Sequence, residues 1–566
     1  MKLERSPFWQ PPAGPVVFVV LDGVGVGCGD AFDAVHAARK PTLERLRREG
    51  ACRTLRAHGT AVGLPSDADI GNSEVGHNIL GAGRVFPQGA SSVEAAFANG
   101  SIWQGPWRRL VDPLAAGSGT LHFIGLLSDG NVHAHQQHLE RMLERAAAEG
   151  VRRLRVHALL DGRDVPDRSA ERYLQRLEDA LARLRAASCD ARIASCGGRM
   201  VTTMDRYEAD WSVVEAGWKV QVLGQGQRFA SALEGLAARR SEQPDLSDQF
   251  VPPFVLADAT GAPCGPIADG DAVILFNFRG DRAIEAALAF ESGAAFDRFE
   301  RVRVPQVRFA GMMLYDGDRG IPGSYLVSPA VVTDTVSECL AQSGCTQFAC
   351  AETQKYGHIT YFWNGNLSSK FSERDEVYVE IPSDRVPFEQ RPWMKSAETA
   401  DALVEAIAGG RFRFVRANFA AGDMVGHTGN LDAAVIAVEA VDLALARVAA
   451  AVLASGGCLV VTADHGNADD MVERDAEGRP LRSAAGRPVG RTSHTRNPVP
   501  FVVWDPARPA PVLRDDLPAA GLANVAATLL ALLGYAAPAA YEPCLLAAPA
   551  GASADVDNTP ARNRNT

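Results

Sequence analysis

Val16-Val17-Phe18-Val19-Val20-Leu21-Asp22-Gly23 is a run of six apolar residues, four of them valine, that stops on a carboxylate and a glycine. A continuous apolar run predicts a strand buried on both faces, as in a parallel sheet. Ligands of open α/β sheets bind beyond the carboxyl ends of the strands, which puts Asp22 at a functional edge. The same pattern recurs along the chain. Residues 121–127 lead into Ser128-Asp129-Gly130-Asn131-Val132-His133, and residues 155–160 into Asp161-Gly162-Arg163-Asp164. Residues 272–278 lead into Arg279-Gly280-Asp281-Arg282, residues 412–419 into Gly422-Asp423-Met424-Val425-Gly426-His427, and residues 458–462 into Asp464-His465-Gly466. A further strand is predicted over 499–504. Helical stretches alternate with these runs. One begins at Pro41 and closes at Gly50, and others cover 138–149 and 169–186. Another carries Leu431, Val435, Val438, Val441, Leu445, Val448 and Val452 on one face and stops at Gly456-Gly457. The fold class expected is α/β with mostly parallel sheets. No internal repeat is evident.

The 566 residues are enough for two or more domains. Hydrophobic content of 46% and charged content of 22% are those of a soluble globular protein. A net charge of −11 argues against general nucleic-acid affinity, although a basic pocket can exist inside an acidic protein. Ten dispersed cysteines without a C-x-x-C pair suit a reducing compartment. Residues 1–14 are polar and Pro-rich with no apolar signal core, and no run approaches 18 apolar residues. The expectation is a cytoplasmic protein with no membrane or nucleic-acid partner.

Between the first strand and the first change of texture lies Gly71-Asn72-Ser73-Glu74-Val75-Gly76-His77. It reads as a glycine-framed loop in which the Ser73 hydroxyl can be approached closely. A serine hydroxyl needs activation to act as a nucleophile, and no Gly-x-Ser-x-Gly elbow surrounds it. The chain offers instead Asp and His residues at strand ends. Asp423 and His427, four apart, share a face if their turn is helical. With Asp22, Asp464, His465 and His494 they form a mixed oxygen and nitrogen set suited to Mn²⁺, Zn²⁺ or similar ions. Any one of these residues alone is an ordinary turn or core residue, and spacing does not count the ions.

These motifs, together with Asn277-Phe278-Arg279, Thr428-Gly429-Asn430 and Asn467-Ala468, closely resemble the 2,3-bisphosphoglycerate-independent phosphoglycerate mutase family. The match runs in order from about Val16 to Leu545. Arg56-Ala57-His58-Gly59-Thr60-Ala61-Val62-Gly63-Leu64-Pro65 and Phe362-Trp363-Asn364-Gly365-Asn366 look like its plant and trypanosomatid branch. The resemblance implies an alkaline-phosphatase-like domain over 1–86 and 329–545, with a central, mostly parallel sheet. It is interrupted by an α/β phosphotransferase domain over 87–328, and 546–566 reads as a disordered tail. It implies two divalent ions, usually Mn²⁺ with Mg²⁺, Co²⁺ or Zn²⁺ as alternatives, and no 2,3-bisphosphoglycerate. One ion would be held by Asp22, Ser73, Asp464 and His465, the other by Asp423, His427 and His494. His133, Arg163, Asp164, Arg199, Arg206, Arg279, Arg282 and Lys355 would bind phosphoglycerate, and the protein would be a monomer. Val24, Asn131, Cys196, Gly280 and Arg496 depart from the family's usual residues.

The implied chemistry is physically coherent. Metal bound to the Ser73 oxygen would make an alkoxide available near neutral pH, and arginines would neutralise and orient the transferring phosphoryl group. The expected cycle passes through phosphoserine at Ser73, with Asp164 moving hydroxyl protons and Lys355 stabilising transferring charge. Closure of a second domain would keep water from hydrolysing the phosphoserine. The alternatives are a metal-dependent phosphatase on the same core and a catalytically silent phosphometabolite-binding protein.

Overall fold

Val16–Leu21 forms a strand with every residue buried, as its composition requires. In the computed structural model, which describes residues 1–206, 208–483 and 486–548, it sits near the middle of a seven-stranded sheet. The spatial order is Glu376–Ile381, Gln347–Glu352, Phe414–Phe419, Val16–Leu21, Cys458–Thr462, Val499–Trp504 and Ala51–Leu55. The first four junctions are parallel and the last two antiparallel. Val16 pairs with Phe414 on one side and Cys458 on the other, so the three central strands run out at one edge together. Helix Leu431–Ser455 supplies one of the crossovers that parallel pairing demands. The Asn430 side chain caps its first turn by accepting from Ala433 N, and Gly456, at φ 65°, ends it in the left-handed region.

The chain divides by internal contacts into two units, Met1–Phe86 with Val331 onward, and Pro87–Ala330. The second unit has its own eight-stranded sheet. Its order is Tyr325–Val327, Arg308–Met313, Ala272–Leu275, Leu121–Leu127, Arg153–Leu160, Asp190–Gly198, Phe254–Leu256 and Gln227–Phe229. Only the junction of Asp190–Gly198 with Phe254–Leu256 is antiparallel. Each unit carries a separate apolar core. The α/β class with mostly parallel sheets, interrupted by a second α/β unit, is therefore the observed one. At the C-terminal end, Leu546 is buried and Ala547 donates to Val512 O. Residues 549–566 of the expected tail lie outside the described residues.

Two local expectations are corrected. Ser73 is not in a loop: it opens helix Ser73–Ala82, capped by the Asn72 side chain accepting from Val75 N at 3.1 Å. The glycines that suggested a loop serve close packing instead. A Cβ at Gly76 would stand 2.7 Å from Asp464 Cβ, and one at Gly81 2.0 Å from Trp363 O. The strand expected over 272–278 ends at Leu275. The Asn277 side-chain oxygen takes the Leu126 N–H at 2.9 Å, replacing a backbone acceptor and closing the ladder.

The second sheet also buries a polar row that runs from Asp271, just before Ala272–Leu275, across three neighbouring strands. Asp271 Oδ2 faces His122 Nε2 at 3.1 Å, His122 Nδ1 faces His157 Nε2 at 3.1 Å, and His157 Nδ1 faces Ser195 Oγ at 2.8 Å. Burial depresses the pKa of His122, and burial with His122 alongside takes His157 well below its ordinary value. The unfolded chain therefore binds protons that the folded chain refuses once pH falls below about 6.5. Stability is expected to drop on acidification through that window by up to about 1.4 kcal/mol per pH unit for each imidazole. His157→Gln should flatten the acid-side fall of the thermal midpoint, and an unchanged slope would refute the assignment.

Candidate active site and metal centre

The site of the first unit is assembled at the carboxyl edge of its three central strands. Asp22 directly follows Val16–Leu21, Asp464 lies two residues beyond Cys458–Thr462, and Asp423 lies in the short helix Ala421–Gly426 after Phe414–Phe419. That helix places His427 one turn beyond Asp423, with His427 Nε2 to Asp423 Oδ1 at 3.2 Å. All of these side chains are buried, as are Ser73, His465, His494 and Lys355.

The partners of the ring nitrogens indicate what the pocket is built to hold. His427 Nδ1 faces Thr492 O at 2.6 Å and His494 Nδ1 faces Gly71 O at 3.0 Å, so each imidazole donates there. Their Nε2 atoms then carry lone pairs, yet they face each other at 3.0 Å, and His494 Nε2 stands 3.1 Å from Asp423 Oδ1. Three acceptors converging without a proton among them are the donor set of a cation site. His465 repeats the arrangement. Its Nδ1 faces Gly466 O at 3.2 Å, leaving Nε2 toward Ser73 Oγ at 2.8 Å and Asp22 Oδ1 at 3.5 Å. Asp464 Oδ2 is buried with His77 Nδ1, already turned to Ser73 O, as its nearest nitrogen at 3.3 Å. Three groups have ligand atoms within 4.8 Å of one another: Asp423, His427 and His494; Asp22, His77 and Asp464; and Asp22, Asp423 and His465. The residues present fit divalent metal.

Charge points the same way. Lys355 Nζ bridges Asp22 Oδ1 and Asp423 Oδ2, both at 2.7 Å, and donates to Ser73 Oγ at 2.5 Å. One ammonium against three buried carboxylates leaves the pocket short of positive charge. Burial, with the Asp464 charge beside it, pushes the Asp22 carboxyl up to about 7. Burial acts on Asp423 in the same sense, opposed by the Lys355 ammonium 2.7 Å from its Oδ2.

Sequence reasoning passed over the residues that orient this set. His77 Nδ1 faces Ser73 O at 2.8 Å, and Asn418 Nδ2 donates to Asp22 Oδ2 at 2.6 Å and lies 3.1 Å from His77 Nε2. Asn467 Nδ2 donates to Asp423 Oδ1 at 3.0 Å. The available signal was an amide, Asn418, next to the last residue of a buried strand. Lys355, grouped with the phosphoglycerate-binding residues from sequence, stands in the metal pocket.

The other expected residues cluster at the carboxyl edge of the second sheet. Asp161 is their hub. Its Oδ1 accepts from Arg163 N, Asp164 N and Arg199 Nη1 at 3.1, 3.0 and 2.7 Å, and its Oδ2 accepts from Ser128 Oγ at 2.6 Å. Asp164 also accepts from Arg199. Arg279 grips Asp281 through two bonds of 2.8 and 3.1 Å, and Arg206 and His133 approach Asp281 at 3.7 and 3.8 Å. Arg282 Nη1 donates to Met204 O at 2.6 Å. Five buried arginines thus face three aspartates. Burial and the charges of Arg206, Arg199 and Arg163 carry Arg282 well below its ordinary value, and burial with Arg199 and Arg279 does the same to His133. Such crowding of cations calls for an anion. Of the departures from the family pattern, Asn131 takes a left-handed φ of 57°, which asparagine tolerates. Gly280 sits against Tyr315, where a Cβ would meet Tyr315 O at 2.8 Å.

A buried carboxylate and imidazole centre at a strand edge defines a metal-dependent enzyme, and residues 14–537 match the family described as the Metalloenzyme superfamily. The chain is 54% identical over 538 residues to the 2,3-bisphosphoglycerate-independent phosphoglycerate mutase of Trypanosoma brucei brucei, covering 94% of this chain and 98% of that protein. Against the Ricinus communis protein of the same name it is 48% identical over 543 residues, covering 95% and 97%. A crystal structure of Leishmania mexicana phosphoglycerate mutase at low cobalt concentration superposes with a TM-score of 0.95 at 51% identity, covering 97% of this chain and all of that one. The chain belongs to the 2,3-bisphosphoglycerate-independent phosphoglycerate mutase family, and divalent metal ions are its cofactors.

Metal that binds only the folded state stabilises it by about 2.7 kcal/mol at a hundredfold excess over Kd. Saturating divalent metal should therefore raise Tm. His494→Ala should lose much of that rise and lower the bound metal measured by mass spectrometry. Equal metal content in the two proteins would remove His494 from the ligand set.

Proposed function

We propose that this enzyme interconverts 3-phospho-D-glycerate and 2-phospho-D-glycerate through a phosphoserine on Ser73, with two divalent ions, Mn²⁺ foremost. The carrying observation is the Ser73 oxygen, held at once by Lys355 Nζ at 2.5 Å, His465 Nε2 at 2.8 Å and Asp22 Oδ1 at 3.3 Å. Asp22, Ser73, Asp464 and His465 would hold one ion and Asp423, His427 and His494 the other. Bound there, the ions supply Lewis-acid lowering of the Ser73 pKa and charge neutralisation.

The chain's own groups do the rest. Lys355 stabilises negative charge on Ser73 Oγ, and the N-terminus of helix Ser73–Ala82 adds its partial positive charge. Ser73 Oγ attacks phosphorus, the bond to the glycerate oxygen breaks, and that oxygen takes a proton from Asp164. The neighbouring glycerate hydroxyl then returns a proton to Asp164 and attacks the phosphoserine, which frees Ser73. His133, Arg163, Arg199, Arg206, Arg279 and Arg282 bind and orient the phosphate and carboxylate. The surplus of arginine over aspartate in their cluster matches such a dianionic or trianionic substrate. We place the enzyme in the cytoplasm as a monomer. Ten free cysteines suit a reducing compartment, and among the described residues no helix is long and apolar enough to cross a membrane.

Ser73→Ala is expected to lower mutase activity by at least about 10³-fold in an assay coupled to 2-phosphoglycerate. Acid-quenched wild-type protein turning over substrate should carry phosphate on Ser73. Full activity in the variant would overturn the covalent route, and phosphate release without 2-phosphoglycerate would mark a phosphatase instead.

A further inference from the structure

The edge of the second sheet opposite the arginine cluster holds a cavity of about 570 Å³, a size typical of small-molecule sites. It lies where the strands begin. Arg153 opens Arg153–Leu160, His122 is the second residue of Leu121–Leu127, Asp271 immediately precedes Ala272–Leu275, and Arg308 opens Arg308–Met313. These strands are parallel, and a strand the length of Leu121–Leu127 spans roughly 20 Å. The cavity is thus a separate place from Asp161, Arg163 and Arg279 at the other edge.

Its charged lining is partly spent and partly not. Arg155 is fully engaged, with Cys264 O, Leu154 O, Asp190 O and Asp190 Oδ2 all within 2.9 Å. Asp271 is equally occupied: Oδ1 accepts from Thr120 N at 2.7 Å, and Oδ2 from Ala268 N at 2.9 Å beside His122. Asp269 Oδ1 accepts from Gln306 N at 2.7 Å. Arg308 gives one Nη2 bond to Gly270 O at 2.9 Å, while its Nε is buried without a hydrogen-bond partner among the described residues. The Arg153 side chain makes no hydrogen bond or ion pair among the described residues. The donors left over are guanidinium groups, whose planar forks match carboxylate and phosphate.

We propose that this cavity is a second binding site, for a small multivalent oxyanion (a phosphorylated or polycarboxylic metabolite) gripped by Arg153 and Arg308. The other chemistry-bearing groups of its lining are spent within the fold, Cys264 Sγ donating to Ile193 O at 3.4 Å and His122 lying between Asp271 and His157, so its ligand is a regulator rather than a substrate. Its wall also opens the buried Asp271, His122, His157 and Ser195 row, which ends four residues before Arg199 on the same chain segment.

Equilibrium dialysis of the metal-loaded full chain against radiolabelled inorganic phosphate, at physiological ionic strength, tests the site. The wild type should bind two equivalents. Arg153→Gln/Arg308→Gln should lose one, with at least a tenfold weaker second affinity and unchanged mutase activity. Arg279→Gln should weaken the other. Arg153→Gln alone, at an exposed position, gives the same reading if the double variant folds poorly. Displacement of the second equivalent by succinate would identify a carboxylate reader, and retention would identify a phosphate reader. Equal phosphate binding by wild type and both Arg153 variants would overturn the proposal.

Discussion

Everything at the catalytic edge depends on three parallel strands held in register. Val16–Leu21 lies between Phe414–Phe419 and Cys458–Thr462, and Val20 pairs with Asn418 on one side and Thr462 on the other. Because parallel ladders advance at one rise per residue, their ends arrive together. That brings Asp22 and Asp464 to one point, and the short helix Ala421–Gly426 carries Asp423 to it. Gly23 then closes the gap: its φ of 73° and its nearness to Asp423, where a Cβ would stand 2.7 Å from the Asp423 Cα, leave room for no side chain.

Bringing three carboxylates into a dry pocket is costly, and the protein does not offset it internally. Lys355 supplies one positive charge, and the imidazoles of His427, His465 and His494 turn their lone pairs inward instead of donating. Replacing such a centre by self-paired ions would give a quieter core with no use for metal. The second unit shows the opposite imbalance, with arginines in excess of aspartates at its carboxyl edge. Each unit is thus left with an unmet charge of definite sign, and the sign states what it receives.

The strand grammar was legible because apolar runs ending in Asp-Gly or Asp-His carry their own directional information. That is why Asp22, Asp464, Arg163 and Arg279 stood out, and Asp423 through the strand before it, whereas Arg199 came only from the family resemblance. Ser73 misled because three glycines within eleven residues look like a loop. The purpose of two of them, Gly76 and Gly81, is to let Asp464 and Trp363 approach a helix, and it resides in partners hundreds of residues away. His77, Asn418 and Asp161 were missed as orienters for a related reason. Their roles are hydrogen bonds across strands, and nothing in a local window records which amide or imidazole will face a carboxylate.

The pairing of residue 16 with residues 414 and 458 also sets a schedule for synthesis. At roughly 5–20 residues per second, the neighbours of Val16–Leu21 leave the ribosome about 20–90 s after it does. During that delay a wholly apolar segment has no ladder to join, whereas the contiguous stretch Pro87–Ala330 contains every strand of its own sheet. The nascent protein must therefore shelter its first strand for the time it takes to make most of the molecule.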